Sequence, residues 1–328
     1  MSGIPWSDAE VSAAQELEWD EFHGQYPERP WEGYRYKRRM IREGKVAPQI
    51  ETVADEADPE ALFEVTVALQ EQLKRTSTAL DDIACTLDVS HPVGIAFLSD
   101  AHIGEIGSDL LRLRQDIEEI AEHEALYAYL GGDMVHNFIL SAMSHFGTMD
   151  DSAVSPRAQQ ILLDWLIGKL KGSTVAMSTG NHEWWSRRQT DIDATQALAK
   201  RHNIVYTGHG GLVRLKVGSQ TYRIYRRHKY RFNSSFNLGH VVKQMWRMGG
   251  IDFDVGVVEH GHQPSIESFT GHGQYKLAIR TGTYLTDSGF AAEVGAQWIH
   301  GVPVVVFHAD EFRMVPFRGL AEACTYLG

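Results

Sequence analysis

The sequence has few cysteines and no long apolar run. Among its 328 residues only Cys85 and Cys324 carry a thiol, which excludes a disulfide framework and a zinc site built from four cysteines. No uninterrupted apolar stretch is long enough to cross a bilayer. The first ten residues lack the basic start and the apolar run of a secretory signal. These absences lead us to expect a cytoplasmic protein that does not bind membranes.

Positive charge is also scarce. The formal net charge is −12, which argues against a surface that binds nucleic acid as a whole, although a local basic patch is compatible with it. Hydrophobic residues make up 43% of the chain, enough for a large core. The 16 histidines are available as metal ligands or as acids and bases near neutral pH.

Four apolar segments end in side chains that can bind a metal. Each is too short for a typical helix and is typical of a buried strand. One such ending is a weak signal, because a lone Asp or His beside a strand is usually a turn residue. Four of them, separated by stretches long enough for crossover helices, predict a parallel sheet whose strand ends converge on one site. The segments with their end residues are 93–98 with Asp100 and His102, 128–130 with Asp133, 174–177 with Asn181 and His182, and 255–258 with His260 and His262.

The rest of the pattern predicts an α/β fold. Helical periodicity alternates with strands in the first half, and the second half is richer in strands, with a hairpin turn at Gly218-Ser219. A parallel half followed by a more antiparallel half predicts two facing mixed β-sheets, a β-sandwich flanked by helices, with the C-terminal strands completing the second sheet. Helices are expected at 110–120, 155–170, 191–200 and 236–246, and further strands at 212–217, 221–225, 253–258, 275–279, 302–307 and 312–317.

Residues 1–50 predict a small all-α module. Ser7 and Glu10 form a capping box before a helix that runs to Phe22, and a second, basic helix follows Pro30. The basic helix stands in the recognition position of what resembles a degenerate helix-turn-helix. A run of charge specifies no groove contact, so a solvated basic helix packed on the acidic first helix is the alternative.

Residues 51–91 are predicted as a linker and a long connecting helix, and residues 92–328 as the catalytic domain. Asp58 and Pro59 mark the helix start, and apolar residues recur at heptad-like spacing from Leu62 to Leu87. This seam either packs on the catalytic domain or forms a homodimer through residues 58–88.

The motifs at the strand ends resemble those of the calcineurin-like metallophosphoesterase superfamily. In the family the last motif is usually Gly-His-x-His, and here Glu259 stands in place of the glycine while both histidines remain. The resemblance implies a metallophosphoesterase-like fold and the hydrolysis of phosphate esters. The matching residues lie between Val93 and Pro264 and are Asp100-Ala101-His102, Gly132-Asp133 with His136, Gly180-Asn181-His182-Glu183, His228, and His260-Gly261-His262 followed by Pro264.

The resemblance also implies a ligand set for two divalent metal ions. By analogy with the family, Asp100, His102 and His262 hold the first ion, Asn181, His228 and His260 hold the second, and Asp133 bridges them. His228 is chosen because it follows a strand at a suitable distance before the last motif, whereas His209 and His240 are less suitably placed. The set contains no thiolate, which favours manganese, iron, zinc or nickel over a soft-metal centre. We expect manganese, with the other three as alternatives.

Two further histidines are predicted to act in catalysis beside Asp133. The resemblance gives His182 the role of a general acid, or of a group that stabilises charge on the leaving oxygen. His136, three residues after Asp133, resembles the corresponding residue in the nuclease subunit of double-strand-break repair complexes. In the family the nucleophile is a hydroxide that bridges the two metals.

Cations alternate with aromatic rings around His228, and two tryptophans with two arginines follow Glu183 on what we expect to be a loop at the metal face. Such residues attract polyanions and stack on bases. We predict Arg226, Arg227, Trp184 and Arg187 as substrate contacts. An ordinary amphipathic strand and simple packing are the alternatives.

Together these features favour a two-metal phosphodiesterase that acts on nucleic acid or a nucleotide, the nuclease branch of the family. One alternative is a phosphomonoesterase such as a protein phosphatase. Glu183, after the Asn-His pair, matches the protein phosphatases better than the nucleases. Another is a DNA-binding protein with a vestigial metallo-domain.

Overall fold

The computed structural model describes residues 6–43, 60, 63–71, 82–137, 153–170, 172–231, 234, 236–286 and 299–328. The chain divides into two compact units, Met1–Gln70 and Glu71–Gly328. The predicted domain limits at residues 50 and 91 stay a prediction. Within the described part of the chain, no helix is both long enough and apolar enough to span a membrane.

The first unit contains helices α1 (Asp8–Glu16), α2 (Trp19–Gln25) and α3 (Trp31–Arg42), and residues 63–70 are helical as well. The predicted capping box is present, because the Ser7 and Glu10 side chains each accept the other's backbone N–H. The predicted single helix through Phe22 is wrong, since Leu17 adopts an extended conformation that separates α1 from α2. Phe22 packs with Ala14 and Tyr34 in a small aromatic core.

The second unit contains the strands of both sheets and the helices around them. In chain order its elements are β1 (Asp82–Leu87), β2 (Val93–Leu98), α4 (Leu110–Glu122), β3 (Leu126–Leu130), α5 (Pro156–Lys169), β4 (Thr174–Met177), α6 (Asn181–Thr190), α7 (Ala194–Arg201), β5 (Gly210–Val217), β6 (Gln220–Arg227), α8 (His240–Gly249), β7 (Val255–Val258), β8 (Ser265–Gly271), β9 (Gln274–Arg280), β10 (Val304–Phe307), β11 (Met314–Phe317) and α9 (Leu320–Leu327).

The strands form a five-stranded sheet in the order β11-β10-β2-β3-β4 and a six-stranded sheet in the order β1-β5-β6-β7-β9-β8. The predicted pair of mixed sheets is therefore confirmed. Strands β2, β3 and β4 are parallel, as are β6, β7 and β9. The expectation that all four ligand-bearing strands share one sheet is wrong, because β7 lies in the six-stranded sheet.

The C-terminal strands also differ from the prediction. Strands β10 and β11 join the five-stranded sheet, with β10 antiparallel to β2 in the register Val304↔Ala96, and do not complete the second sheet. All four residues of β10 are buried, so its apolar sequence suits a central position beside β2 but does not say which sheet it enters.

Alternating side chains of the strands fill separate cores. In β2, Ile95 and Phe97 point into a core shared with the six-stranded sheet, whereas Ala96 and Leu98 pack in a second core that includes residues of α4 and α5. A third core joins α8 to Tyr225 and Ala278 of the six-stranded sheet. The result is a β-sandwich flanked by helices, as the period of two along the strands requires.

Strand β1 replaces the end of the predicted connecting helix. Residues Asp82–Leu87 pair in parallel with β5, and Cys85 and Leu87 pack against the core between the sheets. The apolar residues Ile83, Cys85 and Leu87 also fit a period of two, which decides the local structure once β5 supplies a pairing edge. The prediction of a helix up to Leu87 is wrong, and residues 72–81 lie outside the described part.

Candidate metal centre

The backbone is strained at the predicted ligands. Nine non-glycine residues of the described part have positive φ, and five of them are predicted ligands. This left-handed conformation is uncommon outside glycine, and such residues tend to cluster at functional sites held by the surrounding structure. The five φ values are 51° at Asp100, 46° at His102, 52° at Asp133, 66° at His260 and 52° at His262.

The first predicted ligand group comes together from both sheets. Asp100 and His102 follow β2, and His262 follows β7. Their ligand atoms all lie within 4.8 Å of one another. His262 Nε2 is 3.2 Å from Asp100 Oδ1 and 3.4 Å from His102 Nε2. Three buried donors around one point form an arrangement that suits a cation.

The second group assembles in the same way around Asp133, which follows β3. His228, at the end of β6, has Nε2 3.1 Å from Asp133 Oδ2 and 3.0 Å from the amide oxygen of Asn181. His260 Nδ1 is 3.9 Å from Asp133 Oδ2. The geometry thus brings His228 to the centre, together with Asn181, the first residue of α6.

The donor atoms fit a pair of divalent cations. Asp133 Oδ2 is buried and accepts no hydrogen bond in the described part, although the nitrogens of His228, His182 and His260 lie within 3.9 Å of it. A buried carboxylate oxygen faced by several imidazole nitrogens is the environment that a metal ion completes. Carboxylate, imidazole and amide oxygen ligands suit several first-row ions.

The surroundings of Asp100 and His102 favour the form that binds metal, whereas those of His228 do not: burial opposes its protonation, but the charges of Asp133 and Glu259 beside the ring raise its pKa well above the ordinary value. Burial alone would raise the pKa of Asp100, but its hydrogen bond with His262 and the charge of that imidazole hold the pKa at about 2. Burial lowers the pKa of His102 well below its ordinary value, and the neighbouring His182 lowers it further. An ionised carboxylate and a neutral imidazole are the states that metal ligation needs.

Two glycines and one carboxylate hold the loops of Asp133 and Asn181 together. A Cβ on Gly132 would overlap the backbone of Gly180, and a Cβ on Gly180 would overlap Asp133. Glu183 accepts the backbone N–H groups of Asp133 at 3.0 Å and Gly180 at 2.8 Å. Burial and the charge of Asp133 raise the pKa of Glu183 to about 7. Glu183 is therefore tied to the loops around the centre, and its position says little about substrate.

His182 and His136, the two predicted catalytic histidines, lie beside the first ligand group. His182 Nδ1 lies at hydrogen-bond distance from the His136 carbonyl oxygen, so this nitrogen must carry the proton. Its Nε2 is 3.9 Å from Asp133 Oδ2. His136 is buried, with Nδ1 3.2 Å from the Glu105 carboxylate. The sequence pattern missed Glu105, which lies three residues after His102 and outside every motif.

The predicted substrate contacts fall in different environments. Arg226 is fully buried and forms an ion pair with Glu259, so its position contradicts a role in contacting substrate. Trp184 and Arg187 belong to helix α6 and not to a loop, and the Arg187 guanidinium lies 4.4 Å from the Trp184 ring centroid. Arg227 is half-buried and donates from Nε to the Tyr225 hydroxyl at 2.8 Å.

Several residues around the centre escaped the sequence analysis. The Ser99 hydroxyl is 2.6 Å from Asp100 Oδ2 and 2.7 Å from the Thr281 hydroxyl. Thr283 donates to the Asp100 carbonyl oxygen at 2.7 Å. Both threonines follow β9, so the Thr-Gly-Thr sequence directly after this strand was the available signal. Arg280, at the end of β9, is buried with its guanidinium where a side chain at Gly261 would stand.

Comparisons with known proteins give only distant matches. No protein-family model matches the chain, and no curated protein does. Among solved structures, the chain is similar to a metallophosphoesterase from Sphaerobacter thermophilus, with 14% identity, a TM-score of 0.34 and coverage of 70% of this chain and 89% of that one. It is also similar to the calcineurin-like phosphoesterase YfkN from Bacillus subtilis, with 11% identity, a TM-score of 0.35 and coverage of 72% and 95%.

A third similar structure is the sulfate thiohydrolase SoxB from Thermus thermophilus, in complex with glycerol, at 10% identity and a TM-score of 0.35, covering 72% of this chain and 58% of that one. Identities and scores this low give no support to a particular reaction. A proposed reaction therefore has to be argued from the chemistry of the site.

Proposed function

We propose that the protein is a metal-dependent phosphoesterase that hydrolyses phosphodiester bonds in nucleic acid or a nucleotide. One observation carries this proposal. Side chains that follow strands of both sheets, distant in sequence, converge on two adjacent groups of metal donors, and the second group is built around the Asp133 carboxylate. A pair of adjacent cation sites is the arrangement that phosphoryl transfer uses.

Asp100, His102 and His262 would hold one ion, Asn181, His228 and His260 the other, and Asp133 both. Bound there, divalent ions would supply Lewis acidity and a nucleophile at neutral pH.

The chain's own contribution is orientation and proton transfer. The His136 carbonyl fixes the proton of His182 on Nδ1. The His182 Nε2 atom then faces the centre, where it can hold the proton that a leaving oxygen needs.

Aromatic and cationic groups beside the centre support a nucleic-acid or nucleotide substrate. The Trp185 ring lies 4.1 Å from the His182 ring, and Trp184 stacks with Arg187 on the same helix. Rings of this kind stack on bases, and arginines attract phosphates. In the first unit, the basic helix α3 is consistent with the same class of substrate, although Arg38 already pairs with Glu18.

Hydrolysis assays on metal-free protein test the proposal directly. We expect Mn²⁺ to restore cleavage of bis(p-nitrophenyl) phosphate and of single-stranded DNA, with slower turnover of p-nitrophenyl phosphate. Asp133→Asn should lower kcat/KM by at least about 10³-fold, because a shared ligand is lost. Asp164→Asn, which alters an acid paired with Arg201 and His202 on α5 and α7, is the matched control and should retain full activity.

The same assays separate the alternatives. Preferential cleavage of the monoester would favour a phosphomonoesterase. Binding of DNA in a mobility-shift assay with no turnover under any metal would favour a DNA-binding protein with a vestigial centre. A metal-loaded protein that is inert on both esters would refute the proposed reaction.

A further inference from the structure

Glu259 occupies an unusual position behind the metal centre. It follows β7 and precedes the ligand His260, and its side chain is fully buried. One carboxylate oxygen accepts the N–H of Gly132 at 2.7 Å and lies 3.0 Å from His228 Nδ1. The other oxygen accepts Nε–H of Arg226. A single carboxylate therefore meets three donors.

These contacts argue against Glu259 as a metal ligand itself. Its carboxylate lies close enough to Asp100 and His228 to form a further candidate group, but both of its oxygens already accept hydrogen bonds. The predicted ligands Asn181 and Asp133 contact the opposite nitrogen of His228, Nε2, at 3.0 and 3.1 Å. The two nitrogens of His228 thus face different partners.

We infer that Glu259 is a positioning residue for the second ion: it accepts a hydrogen bond from His228 Nδ1–H, which keeps the proton on Nδ1 and leaves the lone pair of Nε2 directed at the metal. The inference rests on the proposed function, because it needs an ion at Asn181 and Asp133. A carboxylate that receives the second N–H of a ligating histidine fixes the ring and its tautomer and makes it a better donor.

Arg226 holds this carboxylate in place. Its guanidinium also donates to the carbonyl oxygens of Leu98 at 2.9 Å and of Tyr129, which lie in β2 and β3 of the other sheet. It packs 4.5 Å from the Tyr129 ring centroid. Gly131 leaves the necessary space, since a Cβ there would overlap Arg226 and Glu259. Arg226 thus links Glu259 to the other sheet at the end where the predicted ligands converge.

The role of Glu259 also accounts for a departure in the sequence. The position is a glycine in the family motif, and a glycine has no side chain that could accept a hydrogen bond from His228. The backbone N–H of Gly132, one residue before Asp133, is bound by the same oxygen. Glu259 therefore orients one ligand directly and the loop of another through its backbone.

Metal titration of Glu259→Gln tests the inference. The amide has one acceptor for three donors, so we expect about 10–100-fold weaker binding of one ion and unchanged binding of the other. Affinities come from calorimetric titration of metal-free protein with Mn²⁺ and, separately, Zn²⁺, with ions per chain counted by mass spectrometry.

Asp254→Asn is the matched control. Asp254 is also a buried carboxylate that binds an arginine between β6 and β7, accepting the backbone N–H and the guanidinium of Arg223 at 2.8 Å each, but at the other end of the strands. Both variants should lower the melting temperature, and only Glu259→Gln should alter metal affinity.

A second variant protects the test against misfolding. Arg226→Met combined with Glu259→Met removes both charges, a replacement that is often tolerated in protein interiors, and it should weaken the same ion by a similar factor. The inference is overturned if wild type binds two ions and either Glu259 variant binds both with wild-type affinity, or if Asp254→Asn weakens an ion equally. A wild-type protein that binds no ion would refute the proposed function itself, and this inference with it.

Discussion

Replacing His260 by glycine and by alanine separates its backbone from its side chain. His260 has φ of 66°, and its side chain is 33% exposed. Both substitutions remove the imidazole and should abolish tight binding of one ion. In the folded state they differ in the cost of the left-handed backbone, which is about 1–2 kcal/mol for a residue with a Cβ.

The expected difference in stability follows from two opposing terms. Alanine recovers about 0.4–1 kcal/mol by restricting the unfolded chain. Without metal, the free energy of unfolding of His260→Gly should therefore be higher than that of His260→Ala by about 1 kcal/mol. For a unit of this size that corresponds to roughly 2 °C in melting temperature. Urea unfolding in EDTA, followed by circular dichroism, measures the free energy of unfolding for each variant.

His272 provides an internal control. It has φ of 49° in the turn between β8 and β9, away from the centre. The free energy of unfolding of His272→Gly should be higher than that of His272→Ala by a similar amount, with no change in metal binding. Equal stability of the glycine and alanine variants at His260, alongside the expected difference at His272, would refute the view that the ligand backbone is strained.

Three further outcomes are expected. Gly132→Ala should cost about 1–3 kcal/mol in urea unfolding and weaken metal binding, because its Cβ overlaps the backbone of Gly180; unchanged affinity would contradict the close contact. Mn²⁺ at 100 times its dissociation constant should stabilise the wild type by about 2.7 kcal/mol for each ion bound, seen in a thermal melt, and Asp133→Asn should remove that shift. The hydrogen bond from Arg29 lowers the pKa of Glu10 from 4.5 to about 2, so its stabilisation of about 1–2 kcal/mol is complete above pH 4.5 and is lost as the pH falls towards 2. Amide exchange in residues 8–42 of the full chain should therefore differ between wild type and Glu10→Gln at neutral pH and converge at low pH, and a difference independent of pH would contradict this.

The ligand groups were predictable because each motif is local. An apolar run that ends at Leu98 must leave the sheet, and the following Asp100 and His102 are polar residues that tolerate the turn. The same logic applies after β3 and β4. Parallel strands end at the same edge of a sheet, so convergence of these ends follows from the chain order alone. For that reason the motifs alone identify side chains that the structure brings together.

Membership of a particular sheet could not be predicted in the same way. The four residues of β7 are apolar and buried, as are those of β10, and a strand covered on both faces carries no mark of its neighbours. Strand β1 was obscured by a spacing that fits both a heptad and an alternating pattern. The helix that contains Trp184 begins at a predicted ligand, Asn181. The motif at its start indicates a loop at the metal face and not the helix that follows.

Second-layer contacts were equally hidden, for a different reason. Arg226 lies in a run of cations and rings that indicates a surface, and only the position of Glu259 across the sheet shows that the charge is buried and neutralised. A pair of residues 33 positions apart leaves no periodic signal. The one hint was chemical, since a carboxylate stood where the motif has glycine.

The buried carboxylates of the centre need positive charge from another source than Arg226, because Arg226 is already paired with Glu259. Asp100 and Asp133 are buried, and every ion-pair partner found for them in the described part of the chain is an imidazole. Buried carboxylates are costly unless they are paired with positive charge. Protonated imidazoles can supply that charge, but a protonated ring nitrogen cannot ligate. Divalent ions satisfy the carboxylates and leave the same nitrogens free to bind, so the arrangement is best compensated when metal is present.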